Sequence, residues 1–186
     1  TKLSNEVVIG LGDSDAPVVV LNMPDNNTFT NSVDINFNWT VTDDVDTNLS
    51  CNLTINGVVN ASGIFSLNGS YNNYSVTFID GVYSWNVSCE DDSGKVNYSD
   101  TWLFTVDTVA PLVDIIGPVA GSNYTYDDIV PISVNVTDTN NITSVIANVT
   151  WDSTYNEVPL TFNPGTGLWE ANFTNTTDLD IYTITI

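Results

Sequence analysis

Apolar and polar residues alternate one for one through short segments of this chain, and that period admits little other than β-structure. Ile35, Phe37, Trp39 and Val41 share one face of such a segment. Cys51, Leu53 and Ile55, then Val76 and Phe78, then Trp85, Val87 and Cys89 repeat the pattern. Clusters of Asn, Asp, Gly and Ser separate the segments at roughly 8 to 12 residues, the spacing of an antiparallel sandwich. No segment of comparable length has helical period. Hydrophobic residues make up 42% of the chain and aromatics 11%, so it carries core material despite a formal charge of -21.

That charge removes whole classes of partner. The only basic residues are Lys2 and Lys95, against 23 acidic ones. Nothing here can neutralise a phosphate backbone or an anionic membrane surface, so nucleic acid and lipid headgroups are not expected as partners. There is no histidine, which removes the usual proton shuttle, the usual zinc ligand and every Ser-His or Cys-His nucleophile pair. Two-carboxylate hydrolysis survives the composition, but no pair of acids sits in an inward strand setting, so no catalysis is expected. No apolar run approaches the ~20 residues that span a bilayer. Neither a signal peptide nor a transmembrane helix is expected, and a first residue of Thr suits a processed chain.

The chain repeats itself. Ala16-Pro17 followed by Pro24 returns as Ala110-Pro111 followed by Pro118, and Thr42-Asp43 as Thr137-Asp138. Tyr74 to Phe78 matches Trp169 to Phe173, and Val82 to Val87 matches Ile181 to Ile186. Two copies of one sandwich follow, with strands A to G of the first at Val18–Leu21, Asp34–Val41, Ser50–Ile55, Ile64–Leu67, Tyr74–Phe78, Val82–Cys89 and Thr101–Val106. The second is expected to run through Leu112–Ile116, Val130–Val136, Ser144–Val149, Val158–Phe162, Trp169–Phe173 and Ile181–Ile186. The boundaries predicted are residues 1–14 for an N-terminal strand and linker, 15–107 for the first domain and 108–186 for the second.

Asp80-Gly81-Val82-Tyr83-Ser84-Trp85-Asn86-Val87, then Asp91-Asp92-Ser93-Gly94, then Phe104-Thr105-Val106-Asp107-Thr108-Val109-Ala110-Pro111 resembles the F strand, turn, G strand and linker of tandem Ig-like domains from prokaryotic (bacterial and archaeal) cell-surface proteins. The resemblance covers nearly the whole chain. It implies an all-β fold of two tandem Ig-like β-sandwich domains and an extracellular or cell-surface location, and says little about a binding partner.

The second copy has no G strand. Either the sequence stops short of it, or another molecule supplies it. Ahead of the first Ala-Pro linker, Leu3 to Asp13 occupies the place that the G strand Trp102 to Asp107 occupies ahead of the second. This segment reads as a donor strand, with Val7, Val8, Ile9 and Leu11 as its apolar residues and Ile181, Tyr182, Ile184 and Ile186 of the F strand as its acceptor. Insertion of a strand from another molecule is pilin-like donor-strand complementation. Self-insertion would have to reach past the first domain, so the contact is expected head to tail between copies, and such a contact builds a filament.

Asn-x-Ser/Thr sequons occur at Asn26, Asn38, Asn48, Asn52, Asn60, Asn68, Asn73, Asn86, Asn97, Asn123, Asn135, Asn141, Asn148, Asn172 and Asn175. With 25 Asn and 40 Ser plus Thr in 186 residues, chance predicts about five, so the fifteen are enriched nearly threefold. At Asn38, Asn52, Asn86, Asn135, Asn148 and Asn172 the middle residue is apolar, which turns it inward and both motif residues outward. Asn is disfavoured in strands, so its repeated use there points to covalent N-linked glycans, which supply solubility.

Cys51 and Cys89 share the inward faces of strands C and F, neighbours in one sheet, and are expected to form a disulfide between them. Asp43, Asp44 and Asp46 follow strand B, and Glu90, Asp91 and Asp92 follow strand F. An Ig-like sandwich places those loops at one end, where the linker carrying Asp13 and Asp15 also enters. Asp43, Asp44, Asp46, Asp91 and Asp92 are therefore the candidate ligands of a calcium ion, the one cofactor weighed. The expectation is a glycosylated extracellular filament subunit that polymerises with itself. The rival is a spacer in the stalk of an adhesin or surface-layer protein, with its exposed aromatics available for binding carbohydrate.

Overall fold

The computed structural model describes residues 13–178 and 180–186, and no helix is found among them. The donor-strand residues Val7, Val8, Ile9 and Leu11 lie outside the described residues. The chain divides into unit 1, Thr1–Thr108, and unit 2, Val109–Ile186.

Unit 1 contains β1 (Val18–Met23), β2 (Thr28–Thr30), β3 (Asp34–Thr42), β4 (Asn48–Ile55), β5 (Val58–Leu67), β6 (Tyr71–Thr77), β7 (Gly81–Glu90), β8 (Val96–Tyr98) and β9 (Trp102–Val106). One sheet runs β1-β3-β6 and the other β2-β9-β7-β4-β5, with β8 on β7. The strict alternation of β3 and β4 puts Phe37, Trp39, Val41, Cys51 and Leu53 in the core, where they meet Trp85 and Val87 of β7 and Phe104 and Val106 of β9. Phe104 packs against the rings of Phe37, Phe78 and Tyr83, so the G strand supplies the residue on which the aromatic core closes.

Unit 2 contains β10 (Leu112–Gly117), β11 (Val130–Thr137), β12 (Val145–Trp151), β13 (Thr154–Asn163), β14 (Leu168–Phe173) and β15 (Thr183–Thr185). They form one continuous sheet in the order β10-β11-β14-β13-β12-β15. Its core gathers Val130, Ile132, Val134, Val145, Ala147, Val149, Trp151, Leu160 and Phe173. Among the described residues nothing in it corresponds to β9.

Two details tie the units together. In each, a tyrosine near the start of strand F turns its hydroxyl back onto the chain four residues upstream: Tyr83 donates to the Ile79 carbonyl at 3.0 Å and Tyr182 to that of Asp178 at 3.1 Å. This is the tyrosine corner of Ig-like sandwiches. The first strand of each unit also breaks register near its end, between Leu21 and Met23 and between Ile115 and Gly117, one residue before the repeated Pro24 and Pro118.

The strands depart from the sequence reading chiefly in five places. β2 and β8 are three residues each, too short for a period to register. β5 begins at Val58 rather than Ile64 because Asn56 and Gly57, at φ 50° and 75°, make the two-residue hairpin turn that follows β4. β13 likewise starts at Thr154 rather than Val158. The F strand of unit 2, expected from Ile181 to Ile186, pairs only over Thr183–Thr185, where β7 runs from Gly81 to Glu90. β7 is held along both edges, by β4 and β9, and β15 along one; a strand with half the ladder bonds frays sooner.

Candidate functional site

The unfilled side of unit 2 is visible residue by residue against unit 1. In unit 1, Val19 and Leu21 of β1 lie opposite Val41 and Trp39 of β3. In unit 2, Val113 and Ile115 of β10 lie opposite Val136 and Val134 of β11. The registers are equivalent and the burial is not: Leu21 is 5% exposed, whereas Ile115 is 42% and Val113 41%. Val41 is fully buried and its counterpart Val136 only half-buried. In a sandwich the A strand faces G across the core, so an uncovered A strand is what a missing G leaves.

The other wall of this gap is β15. Thr183, Ile184 and Thr185 pair with Thr150, Val149 and Asn148 of β12, and the opposite edge of β15 meets no strand among the described residues. Of the proposed acceptor residues, Tyr182, Ile184 and Ile186 pack partly against the unit 2 core, and Tyr182 stacks near Trp151 and Phe173. Ile181 points into solvent, 83% exposed. An open strand edge beside uncovered aliphatic side chains is a template for one more strand.

None of the fifteen sequon asparagines is buried. Between motif residues, Trp39, Leu53, Val87, Val149 and Phe173 are core, and Val136 is half-buried. Some of these asparagines have structural work. Asn97 donates to the Pro17 carbonyl at 2.8 Å. Asn68 donates with its one amide nitrogen to the carbonyls of both Asp43 and Asp46 and accepts from the Asp43 N–H.

Cys51 and Cys89 form a disulfide, directly opposite one another on β4 and β7 with their Cα atoms 4.1 Å apart. Two residues beyond Cys89 the chain enters an acidic cluster. One carboxylate oxygen from each of Asp13, Asp43, Asp46 and Asp91 lies within 4.8 Å of the others. Asp44 and Asp92, also expected as ligands, are exposed and stay outside the group; the Asp92 N–H instead faces Asp46 Oδ2 at 3.4 Å. Asp13, which the sequence placed only in the vicinity, is a full member.

Three of the four are held the same way. Asp43 Oδ1 accepts the N–H groups of Val45 and Asp46, Asp91 Oδ1 that of Lys95, and Asp13 Oδ1 that of Asp15. In each, the buried Oδ2 takes no backbone N–H. The Lys95 ammonium lies 3.0 Å from Asp13 Oδ2 and 3.5 Å from Asp91 Oδ2. Its hydrogen bond holds Asp13 below the usual carboxylate range. Burial alone would lower Lys95, but Asp13 and Asp91 outweigh it and raise the ammonium above its ordinary value. Asp46 is pushed up, first by burial and then by the neighbouring charges of Asp92 and Asp43. A cleft of about 330 Å³ lined by Asp15, Ala16, Val18, Thr42, Asp43 and Asp44 opens beside the cluster.

No protein-family model matches the chain. No curated protein matches it either. Among solved structures it is similar to the fibronectin(III)-like modules of CbhA from Clostridium thermocellum, with a TM-score of 0.50 and 14% identity over 84% of this chain and 78% of that one. The likeness is one of fold: both units are β-sandwiches of the Ig-like, fibronectin(III)-like kind.

Proposed function

We propose that the chain is a non-catalytic structural subunit of an extracellular, N-glycosylated filament, in which the segment Leu3 to Gly12 of one copy becomes the missing G strand of unit 2 in the next. The observation that carries this reading is Ile115 at 42% exposure where its counterpart Leu21 is at 5%. Among the described residues unit 2 has no strand corresponding to β9, and the segment ahead of Ala16-Pro17 stands in sequence where β9 stands ahead of Ala110-Pro111.

The composition of the segment selects its register. Counting back from the two Ala-Pro pairs sets Gly10 and Gly12 at the inward positions of Phe104 and Val106. Slipping the segment by one residue turns Val7, Ile9 and Leu11 inward instead, and each then contributes about 1.5–3 kcal/mol by burial. Ladder bonds along β15 add about 1 kcal/mol each. A contact in which one surface meets a different one does not close on itself, so the product is a linear polymer.

That none of the fifteen sequon asparagines is buried supports a glycan coat that takes over the solubilising role of surface charge, although Ser88 of the Asn86 sequon, expected outward, is 7% exposed. Asn68 is the one site expected to stay bare: an amide joined to a sugar keeps one N–H, and Asn68 uses both. Peptide mapping by mass spectrometry of native material checks both statements, and a bare intact mass of 20.2 kDa would remove the coat altogether.

A second reading has support from the solved structures, whose fibronectin(III)-like units are modules of a larger protein. In that reading this chain is a spacer in the stalk of an adhesin or surface-layer protein, and the groove is filled from elsewhere in the same protein. Electron microscopy and sizing of the chain with and without residues 1–12 separate the two. Filaments that vanish in the deletion, and that a peptide of Glu6 to Gly12 competes away, support strand donation. Monomers in both samples give the spacer reading its place.

A further inference from the structure

We propose that Asp13, Asp43, Asp46 and Asp91 bind one divalent cation of calcium size in unit 1. Four carboxylates converge there and a single ammonium, Lys95, meets them. Lys95 reaches two of the four. The Oδ2 of Asp43 is shut off from solvent and has no partner of any kind. Asp91 has a side chain with 0% exposure and an Oδ2 that meets only the ammonium, 3.5 Å away. A buried carboxylate oxygen without a donor is costly unless a cation answers it. Asp43 Oδ2 is such an oxygen: it has no hydrogen-bond donor, and Lys95 pairs with Asp13 and Asp91 instead.

The dimensions and the ligand set suit calcium. Calcium takes oxygens at about 2.3–2.6 Å, so two ligands on opposite sides of it stand about 4.6–5.2 Å apart, against about 4.1 Å for magnesium. The four oxygens lie within 4.8 Å of one another, a spread that accommodates a calcium ion, and four carboxylates suit calcium's preference for many oxygen ligands. Water from the adjoining cleft completes the six to eight ligands it requires. The anchoring of three of the Oδ1 atoms to backbone N–H groups holds the ligands before the ion arrives.

Position gives the ion a role, and this part rests on the filament reading. Asp13 directly follows the donor segment, whereas Asp43, Asp46 and Asp91 belong to the loops after β3, β4's approach and β7. A bound ion ties the root of the donor segment to the body of unit 1, so that pull on the strand is passed to the sandwich rather than to a free linker.

The test is calcium titration by calorimetry into chelator-stripped full chain, with electron microscopy of the same samples. One ion per chain is expected, with a dissociation constant on the order of 10⁻⁴–10⁻³ M, the range of extracellular calcium modules. Asp43→Asn and Asp46→Asn should each weaken binding at least about tenfold, the loss of one charged ligand. Lys95→Met should tighten it, because the ammonium competes for Asp13 and Asp91. That opposite sign keeps the test decisive if an Asp variant fails to fold. No saturable heat, binding unchanged in the folded variants, or magnesium bound as tightly as calcium would overturn the site. Filaments without calcium binding remove the site and spare the filament; calcium binding without filaments does the reverse.

Discussion

The two units share the plan of their longer strands and a tyrosine corner, and among the described residues unit 2 has no counterpart of β2, β8 or β9. Unit 1 has β9, and with it Phe104 and Val106 in the core, the disulfide on the strand next door and an A strand whose Leu21 is buried. Unit 2 has no counterpart among its described residues, and the consequences spread well beyond the vacancy: the F strand shrinks to three paired residues, and the A strand opposite is left uncovered. The lesson is that burial in a sandwich belongs to facing pairs of strands. Ile115 is as apolar as Leu21 and sits in the same register, yet its side chain is core in neither sense until something lies across from it.

The comparison can be broken from the unit 1 side first. Phe104→Ala should cost about 3–5 kcal/mol, since it removes the ring on which the aromatic core closes and leaves a cavity. Chemical denaturation would read it, and a loss under about 1 kcal/mol would mean that G contributes little and that unit 2 is not handicapped without it. Next in size is the disulfide, which only unit 1 possesses. Cys51→Ser with Cys89→Ser should cost about 3–4 kcal/mol in the chain-entropy account of its 38-residue separation, measured by the unfolding midpoint of unit 1, with unit 2 unmoved.

The matched pair Leu21→Ala and Ile115→Ala sharpens it further. The first should cost about 2–4 kcal/mol and the second less than about 1 kcal/mol in the monomer. Adding the Glu6 to Gly12 peptide at saturation should then raise the cost of Ile115→Ala and leave that of Leu21→Ala alone. Equal costs without peptide would show that the groove is already filled.

The smallest effect expected is a pH dependence of unit 1 that turns on Lys95. Asp13 is held below its ordinary 3.8 by Lys95, so the pair stabilises the fold above that value and the gain is lost as pH falls through the lowered folded value. Lys95 is raised above 10.5, so the same gain is present below that value and lost as pH rises through the raised one. Asp46, raised by burial, works against the fold once ionised and ceases to do so as pH falls. The stability gap between the wild type and Lys95→Met should therefore be widest near neutrality and close toward both extremes. A gap independent of pH would show that Lys95 acts by packing alone.

Much of this was legible because the signals are local. Trp39, Leu53 and Val87 alternate with polar neighbours, so their inward direction follows from the pleat. Cys51 and Cys89 point inward on strands expected to be neighbours, and the ladder sets them directly opposite. The acidic cluster was legible in part. Asp43, Asp46 and Asp91 come together as their loops suggested, but the membership of Asp13 and the exclusion of Asp44 and Asp92 depend on which way each side chain leaves a turn, and turn residues carry no period. β2 and β8 escaped for the same reason.

By itself the sequence determined what depends on near neighbours along the chain: an all-β fold, the two copies, the inward and outward face of each long strand, and the unburied setting of the sequon asparagines. The tertiary structure alone decided what depends on strands lying across from one another. It decided that Val113 and Ile115 are exposed, that β15 holds only three paired residues, and that four aspartates from three separate segments share one centre with Lys95. Alternation tells a side chain which face of its sheet it occupies; only the packed sandwich tells it whether anything waits on the other side.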